Sequence, residues 1–93
     1  MTYREEGNGE FRQGKYLKAA VLYTKALEET VEEEERAALY SNRSLAFLKV
    51  NKVMKAIEDA KRSISLAPGW DKAYFRLGAA LEASGDFREV CFL

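Results

Sequence analysis

The feature that most constrains the fold of this chain is a helix–turn–helix pattern whose complete copy spans residues 37–70. Apolar side chains in residues 38–48 recur at spacings that cover one side of a helix, and Asn51 then interrupts the pattern. Apolar side chains in residues 53–66 recur at every third or fourth position as far as Pro68, which lacks a backbone donor and ends the helix. The sequence therefore predicts two helices joined by a tight turn.

The same pattern recurs, less completely, on both sides of this copy. Toward the C-terminus the interval is 34 residues, and the matched pairs are Ser44 and Gly78, Asn51 and Gly85, Val53 and Phe87, and Ala56 and Val90. Toward the N-terminus the interval is 37 residues, and Gly7, Gly14, Ala19 and Ala26 match Ser44, Asn51, Ala56 and Ser63. The longer interval implies three extra residues near the acidic run 32–35. Small residues recur where two helices must approach closely.

This period and these residues resemble the tetratricopeptide repeat. The residues that carry the resemblance are Tyr74, Leu77, Gly78, Ala56, Ala60 and Pro68, with Gly7, Tyr16, Ala19, Tyr23 and Ala26 in the first copy. The resemblance implies an all-α fold of antiparallel helix–turn–helix repeats, stacked as a short right-handed α-solenoid of about two and a half repeats. We expect a single domain over residues 2–93, with repeat 1 at 2–36, repeat 2 at 37–70 and a truncated repeat 3 at 71–93.

The flanking copies predict three more helices, at residues 2–13, 16–29 and 71–84. The acidic stretch 28–36 is either an interaction patch or, as we expect, the solvated end of a helix and its connection. Trp70 opens the third repeat, where we expect it to pack between neighbouring repeats rather than to serve as a ligand platform.

The third repeat stops early in its second helix, so its apolar residues lack a covering neighbour. These residues are Phe87, Val90, Cys91, Phe92 and Leu93. Repeat arrays normally finish with a polar-faced cap, so we expect a fragment or truncated form that self-associates through this end. Cys91 has apolar neighbours and no histidine nearby, which favours a buried structural thiol over a reactive one.

Composition argues against several classes of function. The 15 basic and 15 acidic residues cancel, so there is no global field to attract nucleic acid or an anionic membrane. A local excess of Lys49, Lys52, Lys55, Lys61 and Arg62 is interrupted by two acids. The chain has one cysteine, no apolar run of membrane-spanning length and no basic-then-apolar start, so we expect a cytoplasmic protein.

An enzyme is a weak alternative. Histidine is absent, which removes the commonest general base and the usual nitrogen ligand for zinc. Glu58 and Asp59 adjoin but point in different directions on a helix, and the run 32–35 is solvated, so neither offers an acid and base pair. We expect no catalysis, no cofactor and no metal.

Five polar residues on the predicted first helices of the three repeats form the candidate site: Arg4, Asn8, Asn42, Lys72 and Arg76. Arg4 and Asn8 are four residues apart, as are Lys72 and Arg76, so each pair faces one way. Asn42 and Arg76 are one period of 34 residues apart and occupy equivalent faces. Asparagine is unfavourable inside a helix, so two of them facing a groove suggest a ligand. Three cations and two amides without a matching carboxylate suit an anion.

These residues match the two-carboxylate clamp of tetratricopeptide co-chaperones, which hold the C-terminal Glu-Glu-Val-Asp of the seventy- and ninety-kilodalton heat-shock chaperones. By this resemblance, Arg4, Asn8 and Asn42 would hold the terminal carboxylate, and Lys72 and Arg76 would close over the last aspartate. The family usually has lysine where Arg4 stands, which keeps the charge but alters hydrogen-bond geometry.

The resemblance implies a co-chaperone adaptor that binds these chaperone tails. The alternative is a scaffold that assembles a multiprotein complex through other surfaces and is indifferent to the five residues.

Overall fold

The computed structural model describes residues 1–85, and within them the chain forms five stacked α-helices. The helices are α1 (Tyr3–Arg12), α2 (Tyr16–Glu29), α3 (Glu33–Lys49), α4 (Val53–Leu66) and α5 (Asp71–Ser84). Each helix packs against the next in the chain, and α3 also packs against α5. This arrangement confirms the all-α fold of about two and a half repeats. The predicted second helix of repeat 3, residues 87–93 with Cys91, lies outside the described residues, as does the predicted open end.

The turns that follow α1, α3 and α5 share one backbone conformation. Gly14, Asn51 and Gly85 have φ angles of 79°, 62° and 81°, in the left-handed region that glycine, and to a lesser extent asparagine, adopts at low cost. These are the three positions that the repeat alignment places in equivalent turns. The same local geometry therefore reverses the chain between α1 and α2 and between α3 and α4, and it recurs at the end of α5.

The N-terminus of α1 is fixed by a reciprocal cap. The Thr2 side chain accepts the Glu5 backbone N–H at 3.1 Å, and the Glu5 carboxylate accepts the Thr2 backbone N–H at 3.0 Å. The Thr2 backbone N–H and, to a smaller extent, the Thr2 hydroxyl, which donates to Glu5 Oε1 at 3.0 Å, lower the pKa of the Glu5 carboxyl from its ordinary value. The cap holds the helix that carries Arg4 and Asn8.

α3 begins at Glu33, four residues before the start of repeat 2 predicted at residue 37. The physical reason is that three glutamates in a first turn interact favourably with the positive end of the helix dipole. Arg36 fixes this entry, since its Nη1 donates to the carbonyls of Leu27 and Thr30 at 2.7 and 2.8 Å. Part of the acidic stretch is therefore helical, and residues 32–35 are exposed as expected.

Two clusters of small and branched side chains form the core. The first lies between α2 and α3 and contains Ala19, Ala20, Tyr23, Ala26, Leu27, Leu39 and Ala46. The second lies between α4 and α5 and contains Ala56, Ile57, Ala60, Leu77, Ala80 and Leu81. The many alanines allow close approach of the helix axes.

Two buried serines join α3 to α4. Ser44 donates its hydroxyl to the Ala56 carbonyl at 2.7 Å, and Ser63 donates to the Ala37 carbonyl at 2.8 Å. Both serines have no exposed surface, so the hydrogen bonds satisfy hydroxyls that burial would otherwise leave unpaired. They fix α3, which carries Asn42, relative to α4. None of the helices described in residues 1–85 has the length and apolar character needed to cross a membrane.

Candidate functional site

The two candidate asparagines come together in the structure. Asn8 from α1 and Asn42 from α3 line one cavity of about 140 Å³. The remaining described residues of its lining are Phe11, Arg12, Tyr23 and Leu45. The lining therefore combines two amides and a cation with aromatic and aliphatic surface. This composition suits an extended chain that presents both a charged group and an apolar side chain.

The Asn8 side chain is held by a residue of the neighbouring helix. The Tyr23 hydroxyl donates to Asn8 Oδ1 at 2.7 Å. Tyr23 is 2% exposed, and this burial raises the pKa of its hydroxyl, with smaller opposing effects from the charges of Arg12 and Arg4. The hydroxyl therefore remains a donor, and Asn8 keeps its Nδ2 protons for a ligand.

The contact with Tyr23 depends on Gly7. A Cβ atom at Gly7 would lie 2.8 and 2.9 Å from two carbons of the Tyr23 ring. The absence of a side chain at this position lets the ring pack against α1, which brings the hydroxyl to Asn8. This explains the glycine that the repeat alignment predicts at a point of close approach.

Arg76 lies beside the Asn42 region of α3. Its Nε is 3.4 Å from the hydroxyl of Ser41, the residue before Asn42. Arg76 is half-buried, and burial lowers the pKa of its guanidinium. Within residues 1–85 it has no ion pair with a carboxylate. A partly desolvated cation without an acidic partner favours the approach of an anion.

Arg4 and Lys72 are not among the described residues that line the cavity. Arg4 Nη1 lies 3.8 Å from Glu35 Oε1, and both side chains are about half exposed, at 40% and 51%. The Lys72 Nζ atom lies 5.9 Å from the centre of the Trp70 ring. The structure therefore joins Asn8 with Asn42 and puts Arg76 beside Ser41, the residue before Asn42. Like Arg4 and Lys72, Arg76 is not among the described residues that line the cavity.

Trp70 lies between the start of α3 and the connection that precedes α5. It is half-buried and lines a second cavity of about 410 Å³ with Glu34, Ala38, Ala67 and Gly69. The residue is thus partly covered near the junction between repeats, and its packing role stays a prediction.

The described part of the chain contains no group of three acidic, cysteine or histidine side chains placed to hold a metal ion. The candidate site presents cations and amides, which can bind an anion.

Sequence reasoning missed Arg12 and Tyr23 as site residues. Arg12 follows Asn8 by four residues and Arg4 by eight, so helical spacing alone was a sufficient signal. Tyr23 gave no such signal, because its position in the repeat was fully explained by core packing.

The chain is similar to several known proteins. The chain is 41% identical over 88 residues to heat shock protein STI1 of Saccharomyces cerevisiae; this alignment covers 95% of the chain and 15% of STI1. It superposes with a TM-score of 0.86 on the second TPR domain of human RPAP3, solved with the HSP70 peptide SGPTIEEVD. That match is 33% identical and covers 95% of this chain and 71% of the RPAP3 domain.

The TPR2B domain of yeast Sti1, solved with an Hsp70 peptide, also has a TM-score of 0.86, at 29% identity, with coverage of 94% of this chain and 67% of that one. No protein-family model matches the chain. The chain spans only a small part of the length of STI1, but it spans most of the RPAP3 domain. From the five stacked helices, the recurrent turns and these likenesses, we conclude that the chain belongs to the tetratricopeptide repeat family and is similar to its members solved with HSP70 and HSP90 peptides.

Proposed function

We propose that this chain is a co-chaperone adaptor module that binds the acidic C-terminal Glu-Glu-Val-Asp tail of HSP70 and HSP90 chaperones. The likeness to the RPAP3 and Sti1 domains, which were solved with such peptides, supports the proposal. The tail lies in extended form along α1, α3 and α5, with its last residue at the candidate site.

We assign the terminal carboxylate to Arg4, Asn8 and Asn42, and the side chain of the last aspartate to Lys72 and Arg76. The shared cavity of Asn8 and Asn42 supports the first group. To reach the ligand, Arg4 must leave Glu35, which is a small cost for an exposed pair separated by 3.8 Å.

The single observation that carries the proposal is the state of Arg76. Its guanidinium is half-buried and desolvated, lies next to the Asn42 region, and has no carboxylate partner within residues 1–85. Solvent screens such a cation less than an exposed one, so its attraction to a carboxylate is stronger. A C-terminal aspartate brings two carboxylates within one residue.

The affinity follows from a few charge-assisted hydrogen bonds. Each contributes about 1.5–3 kcal/mol before the cost of ordering the peptide. We expect a dissociation constant in the micromolar range, which corresponds to a binding free energy of about −8 kcal/mol.

We further propose that the role is binding rather than catalysis, and that it takes place in the cytoplasm. The groove chemistry supports the first statement, because its cations and amides offer no acid and base pair. The second fits a chain whose one cysteine, Cys91, has no second cysteine to pair with.

The proposal is tested by fluorescence anisotropy with a labelled free-acid peptide that ends in Met-Glu-Glu-Val-Asp. Arg76→Ala should weaken binding at least tenfold. Lys18→Ala removes an exposed positive charge on α2 and should change the affinity less than twofold. A folded wild-type chain that does not bind the peptide would contradict the proposal and favour the scaffold alternative.

A further inference from the structure

The Tyr23 hydroxyl is the only buried side-chain group that the described residues place in hydrogen-bond contact with a proposed ligand-binding amide. Its distance to Asn8 Oδ1 is 2.7 Å, a good length for a hydroxyl donor and an amide oxygen. We infer that Tyr23 is a positioning residue for peptide binding, which fixes the Asn8 amide so that Nδ2 points its protons at the ligand's terminal carboxylate. This inference rests on the proposed function.

The amide of asparagine has two nearly equivalent orientations, and only one of them serves an anion. With Oδ1 toward the groove, a carboxylate would meet a like partial charge; with Nδ2 toward the groove, it meets two donors. The Tyr23 hydroxyl donates to Oδ1. After a half-turn of the amide, the hydroxyl would have to accept from Nδ2 instead, and a phenolic oxygen is a weaker acceptor than an amide oxygen. The hydrogen bond thus favours the orientation that suits an anion.

Tyr23 can act in this way because it is itself fixed. Its ring lies against Gly7, the neighbour of Asn8, and the residue is 2% exposed. The ring therefore cannot move away from α1 without opening the core cluster between α2 and α3. A donor that is held before the ligand arrives reduces the ordering cost of binding.

Surrounding charges do not disturb this donor. The charged groups that act on Tyr23 are Arg4 and Arg12, and both favour the ionised hydroxyl, whereas burial opposes ionisation more strongly. The hydroxyl therefore keeps its proton at neutral pH, and the hydrogen bond is present under ordinary binding conditions.

The test is a double-mutant cycle with Tyr23→Phe and Asn8→Ala, measured as the affinity for the free-acid peptide. Tyr23→Phe removes the hydroxyl but keeps the ring against Gly7. We expect it to weaken binding by about fivefold in the wild-type background, as for one neutral hydrogen bond, and by less than about 1.5-fold in the Asn8→Ala background. Equal weakening in both backgrounds, or no weakening in the first, would overturn the inference.

Tyr16→Phe is the matched control, because it makes the same change in the same helix. Tyr16 makes an edge contact with Phe11, and within residues 1–85 its hydroxyl has no hydrogen bond. The affinity of the Tyr16→Phe variant for the free-acid peptide should stay within about 1.5-fold of the wild type, since no hydrogen bond is removed.

A second measurement separates this inference from the proposed function. In the free protein, ¹⁵N relaxation of the Asn8 side-chain amide should show an ordered group in the wild type, and the order parameter should fall below about 0.6, the flexible range, in Tyr23→Phe. If the wild-type chain binds no peptide, the proposed function fails, and this measurement still decides whether Tyr23 fixes Asn8. An amide equally mobile in both proteins would overturn the inference.

Discussion

The Arg43 guanidinium and the Asp59 carboxylate form a two-point ion pair across the hairpin of α3 and α4. Arg43 Nε lies 2.7 Å from Asp59 Oδ2, and Nη2 lies 2.7 Å from Oδ1. The side chain of Asp59 is 1% exposed and that of Arg43 is 15% exposed. The hydrogen bond to Asp59, more than any other effect, raises the pKa of Arg43. This pair fixes the turn of α3 that presents Asn42 to the groove.

Removing the carboxylate of this pair should strongly destabilise the fold. Asp59→Ala leaves the Arg43 charge largely buried and uncompensated, and we expect the free energy of unfolding to fall by about 3–5 kcal/mol. Urea denaturation followed by circular dichroism measures this loss. Glu58→Ala is the control, because Glu58 pairs with Arg62 at 3.8 Å and their side chains are 58% and 50% exposed. Arg62 also lies 3.0 Å from Asp59, so this substitution leaves Arg62 with an acidic partner. Its effect should stay below about 1 kcal/mol, and equal losses in the two variants would refute the structural role of the buried pair.

Two glycines of α1 should respond oppositely to the same substitution. Gly7→Ala places a Cβ 2.8 Å from the Tyr23 ring, so we expect overpacking of about 1–3 kcal/mol to exceed the gain in helix propensity of about 1 kcal/mol. Gly9→Ala meets its nearest atom, Arg12 Nη2, only at 4.0 Å, and should raise stability by about 0.5–1 kcal/mol. Thermal denaturation compares them. A Gly7→Ala variant as stable as Gly9→Ala would show that the ring does not pack as described.

Glu35 should compete with the peptide for Arg4. The two side chains approach to 3.8 Å, so a bound carboxylate must displace Glu35 from the cation. We expect Glu35→Gln to strengthen binding of the free-acid peptide by about twofold to fivefold at low salt, which is the size of effect that a surface ion pair has. The gain should disappear at high salt, because salt screens exposed charges.

Glu33→Gln is the control for the change in net charge, since Glu33 is exposed and also lies in the first turn of α3. Isothermal titration at two salt concentrations distinguishes the two variants. An equal gain from both would indicate a general charge effect and would argue against direct contact between Arg4 and the ligand.

Much of the fold could be predicted from the sequence because the apolar periodicity is strong. The predicted helices at 2–13, 16–29, 53–66 and 71–84 agree with the structure to within one residue at each end. The turn positions were also predicted, since a 34- or 37-residue interval aligns a glycine or asparagine with each. The start of α3 was not predicted, because its first turn contains only glutamates. A search for apolar periodicity cannot tell such a charged helix N-terminus from a solvated loop.

The candidate site stays a prediction, and the structure adds a contact to it that the sequence did not indicate. The repeat interval and the family resemblance predicted Asn8 and Asn42 in one groove, and in the structure both line one cavity. The hydrogen bond from Tyr23 to Asn8 and the pair of Arg43 with Asp59 join residues 15 and 16 positions apart on different helices. Such contacts depend on how the helices pack, which periodicity within one helix does not describe. For the same reason Asp59, considered only as a catalytic carboxylate, was not recognised as part of an ion pair.

The most direct test of the account is isothermal titration of this chain with a peptide ending in Met-Glu-Glu-Val-Asp, as the free acid and as the C-terminal amide. The account predicts that the acid binds with a micromolar dissociation constant, which is a free energy of about −8 kcal/mol. The amide should bind at least tenfold more weakly, because it lacks the terminal charge that Arg4, Asn8 and Asn42 are proposed to hold. Equal affinity for the two peptides, or no binding of either by a chain that circular dichroism shows to be folded, would contradict the carboxylate clamp.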